Sequence, residues 1–232
     1  MNKLNKLYPE QKYRLALFAM LAMSSIVSIG LFAARATTSD SYRYAFLVWN
    51  LFLAWIPFGF AWVAYTSTHL PKFLMVTLVG GCAIFWLLFF PNAPYILTDF
   101  QHLAKLNSEA PVWYDVLMLI WFSWSGLFLG IISMYLMQKI VAKWLGEKAS
   151  WVFVVTVTVL SSLGIYVGRF LRWNSWDVLI KPLKMTSIIL DDFSQTQERT
   201  LTFSLLFALF FLFVYVTIFL FAKLINEQKT KS

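Results

Sequence analysis

The stretch "LALFAMLAMSSIVSIGLFAA", Leu15–Ala34, is 20 residues long and carries no charged side chain. At about 1.5 Å per residue, a helix of that length reaches about 30 Å, the thickness of a bilayer's hydrocarbon core. It follows the basic start "MNKLNKLYPEQKYR" and ends in "FAARA", a pattern that invites a secretory signal peptide with a cleavage zone. A signal core is shorter, about 7–15 residues. The stretch is therefore read as a retained first transmembrane helix, and the fold as all-α.

Five more runs meet the spanning length: approximately Tyr44–Tyr65, Phe73–Phe90, Val112–Met137, Trp151–Val167 and Leu201–Phe221. Composition agrees. The 232 residues are 60% hydrophobic and 13% charged, against about 25% charged in a soluble domain. Residues 1–232 are read as one integral membrane domain, a polytopic bundle of about six helices with no separate soluble part. Pro57 is expected to kink the second helix by removing a backbone donor.

The net charge of +8 is read as topology signal and attraction to anionic headgroups, and not as a nucleic-acid surface. With the N-terminus inside, eleven basic residues fall on inner segments: Lys3, Lys6, Lys12, Arg14, Lys72, Lys139, Lys143, Lys148, Lys223, Lys229 and Lys231. Eight fall outside: Arg35, Arg43, Lys105, Arg169, Arg172, Lys181, Lys184 and Arg199. Five of these eight share the last connection, Gly168–Thr200, and without it the count is eleven to three. The assignment is N-in and C-in. Within that connection, "PLKMTSIILDDF" sets Leu183, Ile189, Leu190 and Phe193 near one face, which predicts a short amphipathic helix on the membrane surface.

Two polar stretches interrupt the apolar pattern. "FFPNAPYILTDFQHL" (Phe89–Leu103) follows the third span, and "GRFLRWNSWD" (Gly168–Asp177) follows the fifth. Two spans lie between them, so both face the same side whichever way the chain is inserted. Both stretches resemble the signature regions of the domain of unknown function 1361 family, bacterial polytopic membrane proteins. That resemblance implies a bacterial cell membrane location and one membrane domain, and no particular activity.

In the first stretch, Pro91 and Pro94 are expected to push Phe90 and Ala93 out of helical geometry and end the third helix near Phe90. Thr98 and Gln101 have capping-box spacing, so a new helix is expected from Thr98, with Asp99 at its positive end. His102, three residues on, shares that face. Such a pair serves as base and orienter, as a proton relay, or as two metal ligands; two ligands do not make a metal site, and none is assigned. The structural alternative is turn chemistry at Pro-Asn-Ala-Pro, with Asn92 in the turn and Tyr95 as an interfacial anchor.

In the second stretch, Arg169 and Arg172 offer paired donors to a phosphate or carboxylate. Asn174 and Asp177 would position such a group, with Asn174 capping a turn that includes Asp177. The alternatives are that the arginines snorkel to headgroups, or that one pairs with Asp177 or Asp99. Trp173 and Trp176 read as belt aromatics. Asn50, Asp115, Ser161 and Ser162 lie in the outer halves of their spans, which predicts an outward-facing polar pocket bounded by helices two to five.

The leading functional expectation is a membrane-embedded enzyme acting on an anionic lipid-linked or envelope substrate. Asp99, His102 and Asp177 would do the acid–base work; Arg169, Arg172, Asn174, Asn92, Tyr95, Asp115 and Asn50 would bind. The alternatives are a small transporter or carrier, and a non-catalytic envelope assembly protein. The bilayer is the one partner assigned, and no cofactor is. Cys82, beside Gly80 and Gly81, reads as a small-residue helix contact. His69 lies in an inner loop. No Walker A, GxGxxG, GxSxG or SxxK sequence is present.

Overall fold

The computed structural model describes residues 9–105 and 110–231, with side chains described for 12–103 and 110–225. Every regular element among them is helical: α1 (Pro9–Ser39), α2 (Ala45–Thr66), α3 (Lys72–Phe89), α4 (Asn92–Tyr95), α5 (Val112–Leu145), α6 (Glu147–Phe170), α7 (Asp177–Ile180) and α8 (Pro182–Lys231). Short 3₁₀ helices cover Ser67–His69 and Ile96–Lys105. Six helices are long and apolar enough to cross a membrane. The all-α membrane bundle is thus observed. Of the charges used for topology, Lys3 and Lys6 lie outside the described residues, as do the side chains of Lys105, Lys229 and Lys231.

α5 is the hub. It packs against α1, α2, α4, α6 and the 96–105 helix, and most of its apolar window is buried. It runs eight residues beyond the predicted end at Met137, and α6 starts four residues early. Gln138, Lys139, Lys143, Glu147 and Lys148 stay helical because these residue types are good helix formers. Gly146, at φ 89°, alone reverses the chain, a conformation that glycine reaches without steric penalty. Lys143 in the last turn of α5 and Glu147 in the first turn of α6 both complement their helix dipoles.

α3 ends at Phe89, close to the predicted Phe90, but the expectation that Phe90 and Ala93 leave helical geometry is corrected. Phe90 (φ −55°, ψ −39°) and Pro91 (φ −56°, ψ −28°) are both helical, so the chain stays coiled through both prolines into α4. Pro91 and Pro94 fall at the entry of α4, where backbone donors lack intrahelical partners anyway. The turn tightens, with Ala93 N donating to Phe90 O at 3.1 Å. Packing outweighs the local bias. Phe90, Ala93 and Ile96 are fully buried, and the Phe90 ring meets Trp86 at a tilt and Phe211 edge-on. The predicted capping box at Thr98 is also absent: Thr98 Oγ1 donates back to Tyr95 O at 2.7 Å.

Glycines make this entry possible. A Cβ on Gly126 would lie 2.6 Å from Ala93 O, and one on Gly164 would lie 2.9 Å from Pro91 Cγ. Gly130 and Gly168 continue the two faces one turn on, 3.4 Å from Ala93 Cβ and 3.3 Å from the Tyr95 ring. The Pro91–Tyr95 segment is therefore gripped between two small-xxx-small faces, "GLFLG" on α5 and "GIYVG" on α6, an arrangement that lets backbones approach closely in a membrane.

The last connection also departs from expectation. A helix does form where the amphipathic one was predicted, and it joins the sixth span across a non-helical kink at Thr196 (φ −127°, ψ 29°), the two together being α8; the face it buries is what differs. Its inward face carries Met185, Ile188, Ile189, Asp192 and Thr196, while Leu183 and Leu190 are exposed. The predicted face was mixed because apolar residues occur on both sides of this segment. α2 continues through Pro57, which is buried within it.

Arg35 is not a loop charge. It lies inside α1, and its Nε donates to Asp115 Oδ1 on α5 at 2.6 Å, with side-chain exposures of 1% and 2%. Its guanidinium covers the Tyr44 ring at 4.6 Å. The pair sits deep in the bundle and ties α1 to α5, so Asp115 belongs to a helix contact and not to the predicted pocket.

Candidate functional site

The two polar stretches meet. Arg169, in the last turn of α6, forms an ion pair with Asp99 and its Nε donates to Thr98 Oγ1 at 2.8 Å. Its guanidinium lies 4.2 Å over the Tyr95 ring. Asn50 of α2 donates its Nδ2 to Asp99 Oδ2 at 2.9 Å. One carboxylate oxygen therefore faces a guanidinium and the other an amide, and the pair is almost sealed, with 7% and 1% side-chain exposure. The carboxylate joins α2, α6 and the 96–105 helix, and at 1% exposure it is closed to solvent.

The 3₁₀ geometry eclipses residues three apart, and His102 Nε2 lies 4.0 Å from Asp99 Oδ1. That is beyond hydrogen-bond reach. The imidazole packs against the Phe46 ring, centroids 4.6 Å apart. Asp177 is elsewhere: its Oδ2 accepts from Asn174 N at 2.8 Å and Asn174 Nδ2 at 3.3 Å, closing a local turn at the start of α7. Asn92 links the stretches directly, donating to Phe89 O and to Ser175 Oγ, both at 2.9 Å. Among the described residues, no three His, Cys, Asp or Glu side chains come together as a ligand set.

Beside the ion pair opens a cavity of about 530 Å³. Its walls come from α2, the end of α3, the Pro91–Tyr95 segment, α6, the 171–175 loop, Val178 of α7 and α8 from Met185 to Thr200. Of the predicted site residues, Asn50, Asn92, Tyr95, Arg172 and Asn174 line it. Asp99, His102, Arg169, Asp115 and Asp177 do not, nor do Ser161 and Ser162, of which Ser162 donates to Val159 O within its own helix.

Arg172 stands apart from Arg169. Among the described residues its side chain has no hydrogen bond or ion pair, it is exposed, and its backbone is left-handed at φ 58°. It follows the last residues of α6 at the position where helices commonly end in a left-handed residue. The two arginines, expected to act together on one anion, are divided: Arg169 is paired with Asp99 and Arg172 is left at the cavity.

Sequence reasoning missed Tyr166, Asp192 and Thr196. Tyr166 donates its hydroxyl to Asp192 Oδ2 at 2.9 Å, and Thr196 Oγ1 donates to the same oxygen at 3.0 Å. This cluster pins the bend of α8 to α6 beside the cavity. The available signal was the spacing of Met185, Ile189, Asp192 and Thr196, which is that of one helix face.

Neither the curated proteins nor the solved structures offer a match to the chain. Residues 49–214 match the family described as protein of unknown function (DUF1361). That range takes in both polar stretches and every residue lining the cavity. With well over half its length matched, the chain belongs to the DUF1361 family.

Proposed function

We propose that the chain is a bacterial membrane protein whose cavity, opening on the outer face under the N-in assignment, binds an amphiphile bearing an anionic group. The observation that carries this reading is Arg172, a guanidinium without a protein partner among the described residues, at a cavity whose other walls are largely apolar. Leu53, Leu88, Val167 and Ile189 supply hydrocarbon contacts; Asn92, Asn174 and Ser175 supply polar ones. A volume of about 530 Å³ falls in the range of about 300–1,000 Å³ usual for small-molecule sites. Binding fits this geometry better than acid–base catalysis, because Asp99 and His102 are not among the lining residues.

The test is equilibrium binding of phosphatidylglycerol to the detergent-solubilised protein, followed by native mass spectrometry. A charge-assisted contact is worth about 1.5–3 kcal/mol, so Arg172→Gln should weaken binding by about tenfold or more. Its melting temperature should stay within about 2 °C of the parent's, since an exposed side chain without partners contributes little to the fold. Equal affinity of parent and variant would refute the reading.

A further inference from the structure

The cavity carries a second charge that the anionic-ligand reading does not use. Of its lining residues, only Arg172 and Asp192 are charged. They come from different elements, the loop after α6 and the first half of α8, and they form no ion pair with each other among the described residues. Asp192 is half-buried. Both of its hydrogen bonds from other side chains, those of Tyr166 and Thr196, reach the same oxygen, Oδ2, and both donors are neutral hydroxyls. The nearby cations are directed elsewhere: Arg199 lies 4.0 Å over the Phe170 ring, and Lys181 and Lys184 are exposed and do not line the cavity. A half-buried carboxylate with both donors on one oxygen keeps the capacity to accept further hydrogen bonds at the other.

We infer that the ligand is a zwitterion carrying an anionic group that meets Arg172 and a primary ammonium that meets Asp192. The inference rests on the reading of the cavity as an amphiphile site and adds the headgroup class, of which phosphoethanolamine is the simplest lipid example. The net charge of the lining residues is zero, which matches a ligand of zero net charge. Asp192 offers an acceptor for the N–H bonds of a primary ammonium; a quaternary ammonium would use the lining aromatics Trp49, Tyr95, Tyr166, Trp173 and Phe193 instead, and the phosphatidylcholine probe separates the two. The anion goes to Arg172 because a guanidinium presents paired donors to phosphate oxygens. The apolar walls take the hydrocarbon chains.

The experiment compares four probes on the full chain in detergent micelles: phosphatidylethanolamine, phosphatidylcholine, phosphatidylglycerol and soluble glycerophosphoethanolamine. The expected result is that phosphatidylethanolamine binds about tenfold tighter than either other lipid. Asp192→Asn should remove that preference by weakening phosphatidylethanolamine alone, Asp192→Glu should restore part of it, and Arg172→Gln should weaken both phosphatidylethanolamine and phosphatidylglycerol. Binding of the soluble headgroup at comparable affinity would identify a free small molecule as the source, and binding of the lipid alone would identify a membrane lipid. Should Asp192→Asn leave the lipid preference unchanged, the zwitterion is wrong while the amphiphile site stands. Loss of any dependence on Arg172 as well would take down both. Tyr166→Phe removes one hydroxyl and keeps the carboxylate, so it should retain the preference even if Asp192→Asn folds poorly; a Tyr166→Phe protein that folds but prefers phosphatidylglycerol overturns the inference.

Discussion

Asp99→Ala is expected to lower the stability of the folded protein by about 3–5 kcal/mol, because it strands a buried guanidinium. Arg169 is 7% exposed, and its remaining neighbours, the Thr98 hydroxyl and the Tyr95 ring, cannot neutralise it. A loss of that size is comparable to the whole stability of many domains, so the yield of monodisperse protein and its melting temperature in detergent should both collapse. Removing both charges tests the cause. Asp99→Leu combined with Arg169→Met leaves no isolated charge, and a buried pair exchanged for apolar residues is often neutral. The double variant should therefore recover most of the loss. If it is as unstable as Asp99→Ala alone, the damage comes from packing or from the Asn50 contact, and not from an unpaired charge.

Gly126→Ala should be the most harmful of the conservative substitutions. An alanine in a helix interior usually gains about 1 kcal/mol over glycine. Here the new Cβ would meet Ala93 O at 2.6 Å and Ile96 Cδ1 at 2.8 Å, and the nearer atom is backbone, which does not rotate away. Overpacking of this kind costs about 1–3 kcal/mol, enough to reverse the sign. Gly164→Ala should behave alike, since the atom it meets at 2.9 Å belongs to the Pro91 ring. Gly80→Ala is the control: nothing lies within 4 Å of its Cβ, and it should be neutral or slightly stabilising. Thermal unfolding of the three variants side by side decides the matter; equal behaviour would mean that the Pro91–Tyr95 segment is not gripped between α5 and α6.

The membrane bundle was legible because a run such as Leu15–Ala34 has no stable alternative in water. That the two polar stretches share one side was legible too, from counting spans, and the pairing of Arg169 with Asp99 stood among the alternatives; that they touch was not. What resisted reading was everything that depends on competition between local and distant forces. The residue before a proline avoids helical geometry, yet Phe90 adopts it, because burying Phe90, Ala93 and Ile96 outweighs that bias. Arg35 and Asp115 are 80 residues apart, and no local pattern marks them as partners. Asp192 had no role in the sequence reading; next to the bend at Thr196 it meets Tyr166 and lines the cavity. The candidate site was accordingly half visible: Asn92, Arg172 and Asn174 in their stretches, but not the α8 wall that faces them.

The left-handed backbone at Arg172 bears on how this loop came to hold an arginine. An L-residue with a Cβ in that conformation forgoes about 1–2 kcal/mol, and glycine would sit there without strain. The path of the chain after α6 therefore asks for glycine, and the fold gains nothing from a cation at this point. Shape and charge are in conflict at residue 172. Arg172→Gly should ease the backbone while discharging the cavity, which makes this the position where a sturdier protein and an emptier one are the same molecule.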